Sequence, residues 1–282
     1  MYGTEQMYES GSEVSRVPLT ADEPGAPCWL SLAVRDLGAA EEFYGAVLGW
    51  TFRHGPLGHG FSVGELDGVP VGGIGEVAVR MAMPVAWTPY FAVADADEAV
   101  ARIRERSGTV GVGPVAFPPR GRAALATDPE GAAFGVWEGR VSSRWRLGEH
   151  HAPAWLELHT RNAFDAAVFY GGVLDWLNGG VERFEVAYED DQVVLYSQGE
   201  AIARLNSGPV EAASPQPQLR PRWLVHFRVP DLERATAAVL AHGGSLVPEA
   251  DHGWPVAAGR RASVRDPQGG LFTLDEAADE RA

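Results

Sequence analysis

The chain has 282 residues and a formal net charge of -15, and all 23 of its basic residues are arginine, scattered along the sequence. That balance argues against a nucleic-acid partner, which needs basic stripes to neutralise phosphates, and the lack of lysine removes Schiff-base chemistry and a Walker-type phosphate lysine. Cys28 is the only cysteine, so an internal disulfide and a thiolate-built zinc site are excluded.

At 45% hydrophobic and 22% charged, with nine tryptophans, the composition is that of a folded protein long enough for two domains. No stretch approaches the roughly 18 to 20 unbroken apolar residues of a membrane span, so no membrane partner is expected. Residues 1–26 hold Glu, Ser and Gly where a signal peptide needs a basic start and an apolar run, and read as a mobile leader of a cytoplasmic protein.

From Pro27 the chain reads "PCWLSLAVRDLGAAEEFYGAVLGW", and from Pro153 "PAWLELHTRNAFDAAVFYGGVLDW". Trp29, Phe43, Tyr44, Gly45, Leu48 and Trp50 recur 126 positions later as Trp155, Phe169, Tyr170, Gly171, Leu174 and Trp176. Each copy opens with an extended run rich in β-formers, after which Asp36 or Asn162 is placed to cap a helix whose apolar residues follow at helical spacing. A fainter echo lies inside each copy. "YFAVADADEAVARI" from Tyr90 and "HFRVPDLERATAAVL" from His226 again read as strand, Asp cap and amphipathic helix, with Asp95 and Glu98 spaced as a capping box. Both copies end in an Asp-Pro-x-Gly turn and a last strand, from Thr127 and from Arg265.

Four such units, paired in two, predict domains at 27–140 and 153–276, a linker at 141–152 and an acidic tail at 277–282. "FYGAVLGW", "FYGGVLDW" and the two Asp-Pro-x-Gly endings resemble the glyoxalase, bleomycin-resistance and extradiol-dioxygenase superfamily, also called vicinal oxygen chelate proteins, in its tandem two-domain form. The resemblance spans Pro27 to Asp275. It implies an α+β fold in which paired βαβββ modules form a curled mixed sheet around a cavity. That fold hosts lyases, epimerases, dioxygenases and drug-binding proteins. With four modules on one chain a monomer can complete both cups, and self-association as a homodimer stays open.

Metal-dependent members of the superfamily place ligands at positions that fall here on Trp29, Thr88 and Gly135, and on Trp155, Leu224 and Thr273. None is a histidine or carboxylate, so neither a metal nor another cofactor is expected. Polar groups gather instead in the second copy. Trp155, Glu157 and His159 share one strand face, as do Leu224, His226 and Arg228, whereas the first copy offers Ser31, Ala33, Tyr90 and Ala92. Glu157 and His226 make an acid and base pair, and Arg228 is suited to an enolate or phenolate oxygen. Adding His159 gives a two-His, one-carboxylate set of the kind some iron enzymes use. Equally, the Glu and His can satisfy each other as a buried pair.

The expectation is therefore a cavity for a bulky aromatic, hydrophobic or polyketide-like small molecule. Glu157, His226 and His159 are the candidate catalytic groups, and Trp155, Arg228, Leu224, Thr273, Trp29 and Tyr90 the candidate binding walls. Metal-independent natural-product tailoring by isomerisation, elimination or cyclisation is the leading reading. Its alternatives are a noncatalytic antibiotic-binding protein and a metal-dependent lyase or dioxygenase.

Overall fold

The computed structural model describes residues 24–54, 59–141, 145–148, 152–176, 184–189, 192–197, 199–207, 221–247 and 260–276. Most of the leader, the acidic tail, the adjacent linker histidines His150 and His151, and the Pro-containing segment 211–220 lie outside these residues.

Four βαβββ modules follow one another, as the internal echoes predict. The first domain runs β1 (Pro27–Ala33), α1 (Leu37–Leu48), β2 (Thr51–His54), β3 (Phe61–Leu66), β4 (Val69–Gly75), then β5 (Ala86–Ala92), α2 (Ala96–Glu105), β6 (Thr109–Phe117), β7 (Gly121–Thr127) and β8 (Ala133–Gly139). The second repeats it as β9 (Ala154–Thr160), α3 (Ala163–Leu174), β10 (Glu185–Glu189), β11 (Gln192–Ser197), β12 (Glu200–Ser207), then β13 (Arg222–Val229), α4 (Leu232–Ala241), β14 (Ser245–Val247), β15 (Arg261–Arg265) and β16 (Leu271–Glu276). Each domain is one mixed eight-stranded sheet, ordered β2-β3-β4-β1-β5-β8-β7-β6 and β10-β11-β12-β9-β13-β16-β15-β14. The two modules of a domain meet at an antiparallel seam, β1 with β5 and β9 with β13.

The expected caps start the helices. Asp36 accepts from Ala39 N–H, Asp95 from Asp97 and Glu98, and Asn162 from Phe164 and Asp165, each satisfying a backbone donor that the first turn leaves free. Helix α1 stops where Gly49 turns left-handed at φ 70°, and Asp175 does the same for α3 at φ 59°. Asp is one of the few non-glycine residues that tolerates this region, which is why the two copies differ there without differing in shape.

The domains are bound to each other by the repeated motif itself. Helix α1 packs on α4 and α2 on α3. The motif tyrosines Tyr44 and Tyr170 are fully buried between them. Trp50 stacks on Tyr44 and meets Phe227 of the other domain edge-on, while Trp176 stacks on Tyr170 and meets Phe91. Trp50 and Trp176 are thus packing residues. Because the helices face each other, the opposite face of each sheet is left for a cup.

Candidate functional site

A cavity of about 350 Å³ lies in the first domain, lined by residues from all eight strands of its sheet. That volume falls within the range of small-molecule sites, about 300–1,000 Å³. Five aromatic side chains wall it: Trp29, Phe61, Tyr90, Phe117 and Trp137. Arg53, Arg120 and Arg140 stand around it, and no Asp, Glu or His is among its lining residues. Trp29 and Tyr90 are therefore placed as expected, on a cavity wall.

Tyr90 pairs with Trp29 across the seam of β1 and β5. Its ring lies flat on β8 because Gly135 has no side chain; a Cβ there would sit 2.2 Å from the ring carbons. Burial pushes the Tyr90 phenol up to about 12, so at neutral pH it is an uncharged donor. Ser31, one strand step from Trp29, adds a second hydroxyl to the wall.

The second domain puts charge at the same register positions. Seam and ladder pairing match Ser31 with Glu157, Tyr90 with His226, Trp137 with Asp275, and Ala123 with Arg261. His226 sits between two carboxylates, with Nε2 at 2.9 Å from Glu157 and Nδ1 at 3.3 Å from Asp275. His159 Nε2 lies 3.4 Å from Glu157, and Asn206 also donates to Glu157. Trp155 stacks on His226 at a centroid distance of 4.0 Å, and its Nε1–H donates to Asp275. Arg261 completes the group, with Nε 3.6 Å from Asp275 and its guanidinium over the Trp155 ring.

Burial would push the Glu157 carboxyl up, but His159 and His226 overcome this and hold it well below the ordinary range. Asp275 is likewise held down against burial by His226, Arg261 and Trp155. Burial would make His226 a weaker base; Asp275 and Glu157 reverse this, so it keeps its proton to higher pH than a free imidazole. The carboxylates thus lie at ion-pairing distance from the His226 ring, which hydrogen-bonds Asp275 through Nδ1, whereas its Nε2 approaches Glu157 without hydrogen-bond geometry.

Other candidate residues divide between the two arrangements. Thr273 pairs with His226 in the ladder and is buried, as is Leu224 opposite Glu157. Arg228 turns to the linker, where its guanidinium donates to the carbonyls of Ala152 and Gly148 at 2.8 and 3.4 Å. It thereby ties the linker to the second sheet.

The superfamily's metal chemistry needs three donors aimed at one point. Among the described residues no three His, Cys, Asp or Glu side chains form such a set. The described residues therefore do not supply the donor set that such a metal needs.

Sequence reasoning missed Asp275 and Asn206 in the second domain, and Phe61, Trp137 and Arg140 in the first, while Arg120 and Arg261, in the runs "RGR" and "GRR" before late strands, read as exposed arginines before they read as anion-binding ones. Asp275 was within reach, because it follows Thr273 by two and so shares its strand face. Trp137 then follows as its counterpart in the first copy. The arginines flank turns, where periodicity carries no signal.

Comparison with known proteins adds the following. A family model described as "Bleomycin resistance protein-like N-terminal" matches residues 28–58, and one described as "Glyoxalase-like domain" matches residues 155–274. The chain is 30% identical over 276 residues to the anthracycline biosynthesis protein DauV of Streptomyces sp. (strain C5), covering 92% of this chain and 95% of that one. It is 29% identical over 268 residues to CFP32 of Mycobacterium tuberculosis (strain CDC 1551 / Oshkosh), whose name marks it as a candidate glyoxylase, covering 91% and 97%. In fold it is similar to the Mn(II)-bound glyoxalase from Novosphingobium aromaticivorans, with TM-score 0.55 and 17% identity over 90% of this chain and 82% of that one. A catechol 2,3-dioxygenase gives 0.52 and 13% over 92% and 91%.

Proposed function

Because the chain belongs to the vicinal oxygen chelate superfamily, whose shared fold does not specify a reaction, its role depends on the residues of its own cavity, and we propose that the first-domain cup binds a planar aromatic small molecule in a natural-product tailoring route. The observation that carries this is the aromatic cavity itself: five rings on the walls, hydroxyl donors at Ser31 and Tyr90, and no carboxylate or imidazole. Flat rings stack and T-pair with such walls, each good pairing adding about 0.5–1.5 kcal/mol beyond area burial. The naming of DauV for anthracycline biosynthesis supports the ligand class, since an anthracycline is built on a fused planar ring system.

The lining set also supports a role for the cup. Lacking a base of ordinary carboxylate or imidazole type, it holds, orients and shields its ligand, with Tyr90 and Ser31 donating to ligand oxygens. This favours a binding and positioning role, in tailoring or in sequestration, over proton abstraction at this cup. A second reading rests on the Glu157, His226 and Asp275 group, a described cluster with acid and base character on a sheet face. For catalysis it would have to exchange an internal partner for the substrate, at the cost of breaking a buried ion pair.

The test is a fluorescence titration with 1,4-dihydroxyanthraquinone. One molecule per chain should bind and quench tryptophan emission, and Tyr90→Phe should weaken binding roughly three- to tenfold through one lost hydrogen bond. Absence of binding, with a fluorescence response no different from that to an aliphatic alcohol, contradicts the proposal.

A further inference from the structure

Three arginines stand around one cavity in a chain of net charge -15, and they are not equivalent. Arg53 is spent, donating from Nε to Glu65 at 3.0 Å and approaching the same carboxylate oxygen with Nη2 at 3.0 Å. Arg120 and Arg140 have no side-chain partner among the described residues, although acidic groups satisfy the neighbouring Arg122, which reaches Asp97 at 2.8 Å and Glu138 at 3.5 Å.

The backbone brings the two together. Arg140 N–H donates to the Arg120 carbonyl at 3.2 Å. Gly121 and Gly139 are ladder partners, and a Cβ on Gly121 would fall 2.1 Å from the Glu138 carbonyl oxygen while one on Gly139 would fall 2.3 Å from that of Arg120. Only glycine at both positions lets the turn after β6 and the end of β8 close up in this way. Like charges on backbone-paired residues at the rim of a cavity favour an anion between them, so the pair has a use when the ligand brings negative charge.

We infer that the first-domain cup takes a planar aromatic anion, with its rings among Trp29, Tyr90 and Trp137 and its carboxylate or phenolate oxygen at Arg120 and Arg140. This rests on the reading of the cup as an aromatic site. Guanidinium suits the task because its planar fork meets two oxygens of one anion and also stacks on rings. The exposure of both arginines sets the scale: each contact is worth less than a buried one and is screened by salt.

The experiment compares 9-anthracenecarboxylate with its neutral isostere 9-anthracenecarboxamide by fluorescence titration at 20 and 300 mM salt. Wild-type protein should bind the carboxylate at least tenfold more tightly at low salt, with the preference shrinking at high salt. Arg120→Gln and Arg140→Gln should each cut carboxylate affinity three- to tenfold and leave the carboxamide within twofold. Arg104→Gln, which removes the same charge from the outer surface of α2, should change neither. Equal binding of both compounds with both variants silent overturns the anion assignment while leaving the aromatic site standing. Binding of neither compound overturns both.

Discussion

The Tyr44 hydroxyl donates to Asp266 Oδ2 at 2.9 Å, joining residues 222 positions apart and belonging to different domains. The reciprocal bond runs from Tyr170 to Asp128 Oδ2 at 3.1 Å. Each tyrosine also accepts from an indole, Trp87 for Tyr44 and Trp223 for Tyr170. Each aspartate uses its other oxygen to close its own turn, accepting from Glu130 and Ala132 or from Gln268 and Gly270. The repeated "FYG" phrase and the Asp-Pro-x-Gly turn are thus two halves of an interdomain lock.

Tyr44→Phe leaves an indole N–H and a carboxylate oxygen buried without a partner. The expected loss is about 2–3 kcal/mol, from two unsatisfied groups at about 1–3 kcal/mol each with partial relaxation. Tyr170→Phe should cost a similar amount, because Tyr170 makes the equivalent bonds to Asp128 and from Trp223. Urea denaturation checks both; a midpoint unchanged by either substitution would show that the lock carries no stability.

The Glu157, His226 and Asp275 group sets a pH window. Glu157 and Asp275 have depressed folded values, so their contribution is present above their unfolded values of about 4.5 and 3.8 and is lost as pH falls through the folded ones. His226 has a raised value, so its contribution is full below 6.5 and is lost as pH rises through the folded value. Stability should peak between these limits and decline on the alkaline side. Asp275→Asn should lower the His226 titration midpoint followed by NMR, and should flatten the alkaline decline. A His226 midpoint that does not move on this substitution would contradict the pairing.

Removing one partner from this group exposes its cost. Glu157→Gln leaves the His226 charge with one carboxylate fewer, and should destabilise the fold by about 3–5 kcal/mol. Anthraquinone affinity measured below the unfolding transition should stay within twofold. A loss of binding in a fully folded Glu157→Gln protein would move the site to the second cup.

Gly135→Ala tests the floor of the first cup. Its methyl group collides with the Tyr90 ring and drives that ring into the cavity, at about 1–3 kcal/mol of overpacking strain. Affinity for the anthraquinone should fall at least tenfold while circular dichroism stays that of the wild type. Unchanged affinity would mean that the ring does not border the ligand.

The sequence made the architecture legible because the repeat preserves what the fold needs: caps at Asp36 and Asn162, motif aromatics at Tyr44 and Tyr170, and turn residues at Asp128 and Asp266. Strand period two also placed Glu157 and His226 on one face, where the structure shows them in contact. What could not be read was whether that face is open or filled. Arg261 and Asp275 reach Glu157 and His226 from strands distant in sequence, and pairing register is needed to match Arg261 with Ala123 of the first domain. A charged cluster stands out in a sequence, whereas the open space of the first cup depends on small residues such as Ser31 and Ala123 between its aromatic walls.

The most direct test of the first cup as the ligand site is to fill it. Ala123 lines the cavity and lies opposite Trp137 on the neighbouring strand, so Ala123→Trp places an indole in the space without disturbing the interdomain core. Titrating 1,4-dihydroxyanthraquinone into this variant and into His159→Gln separates the two cups, once thermal melts show both folded. The account predicts that Ala123→Trp abolishes binding and that His159→Gln binds as the wild type does. Wild-type affinity in Ala123→Trp together with its loss in His159→Gln would contradict it.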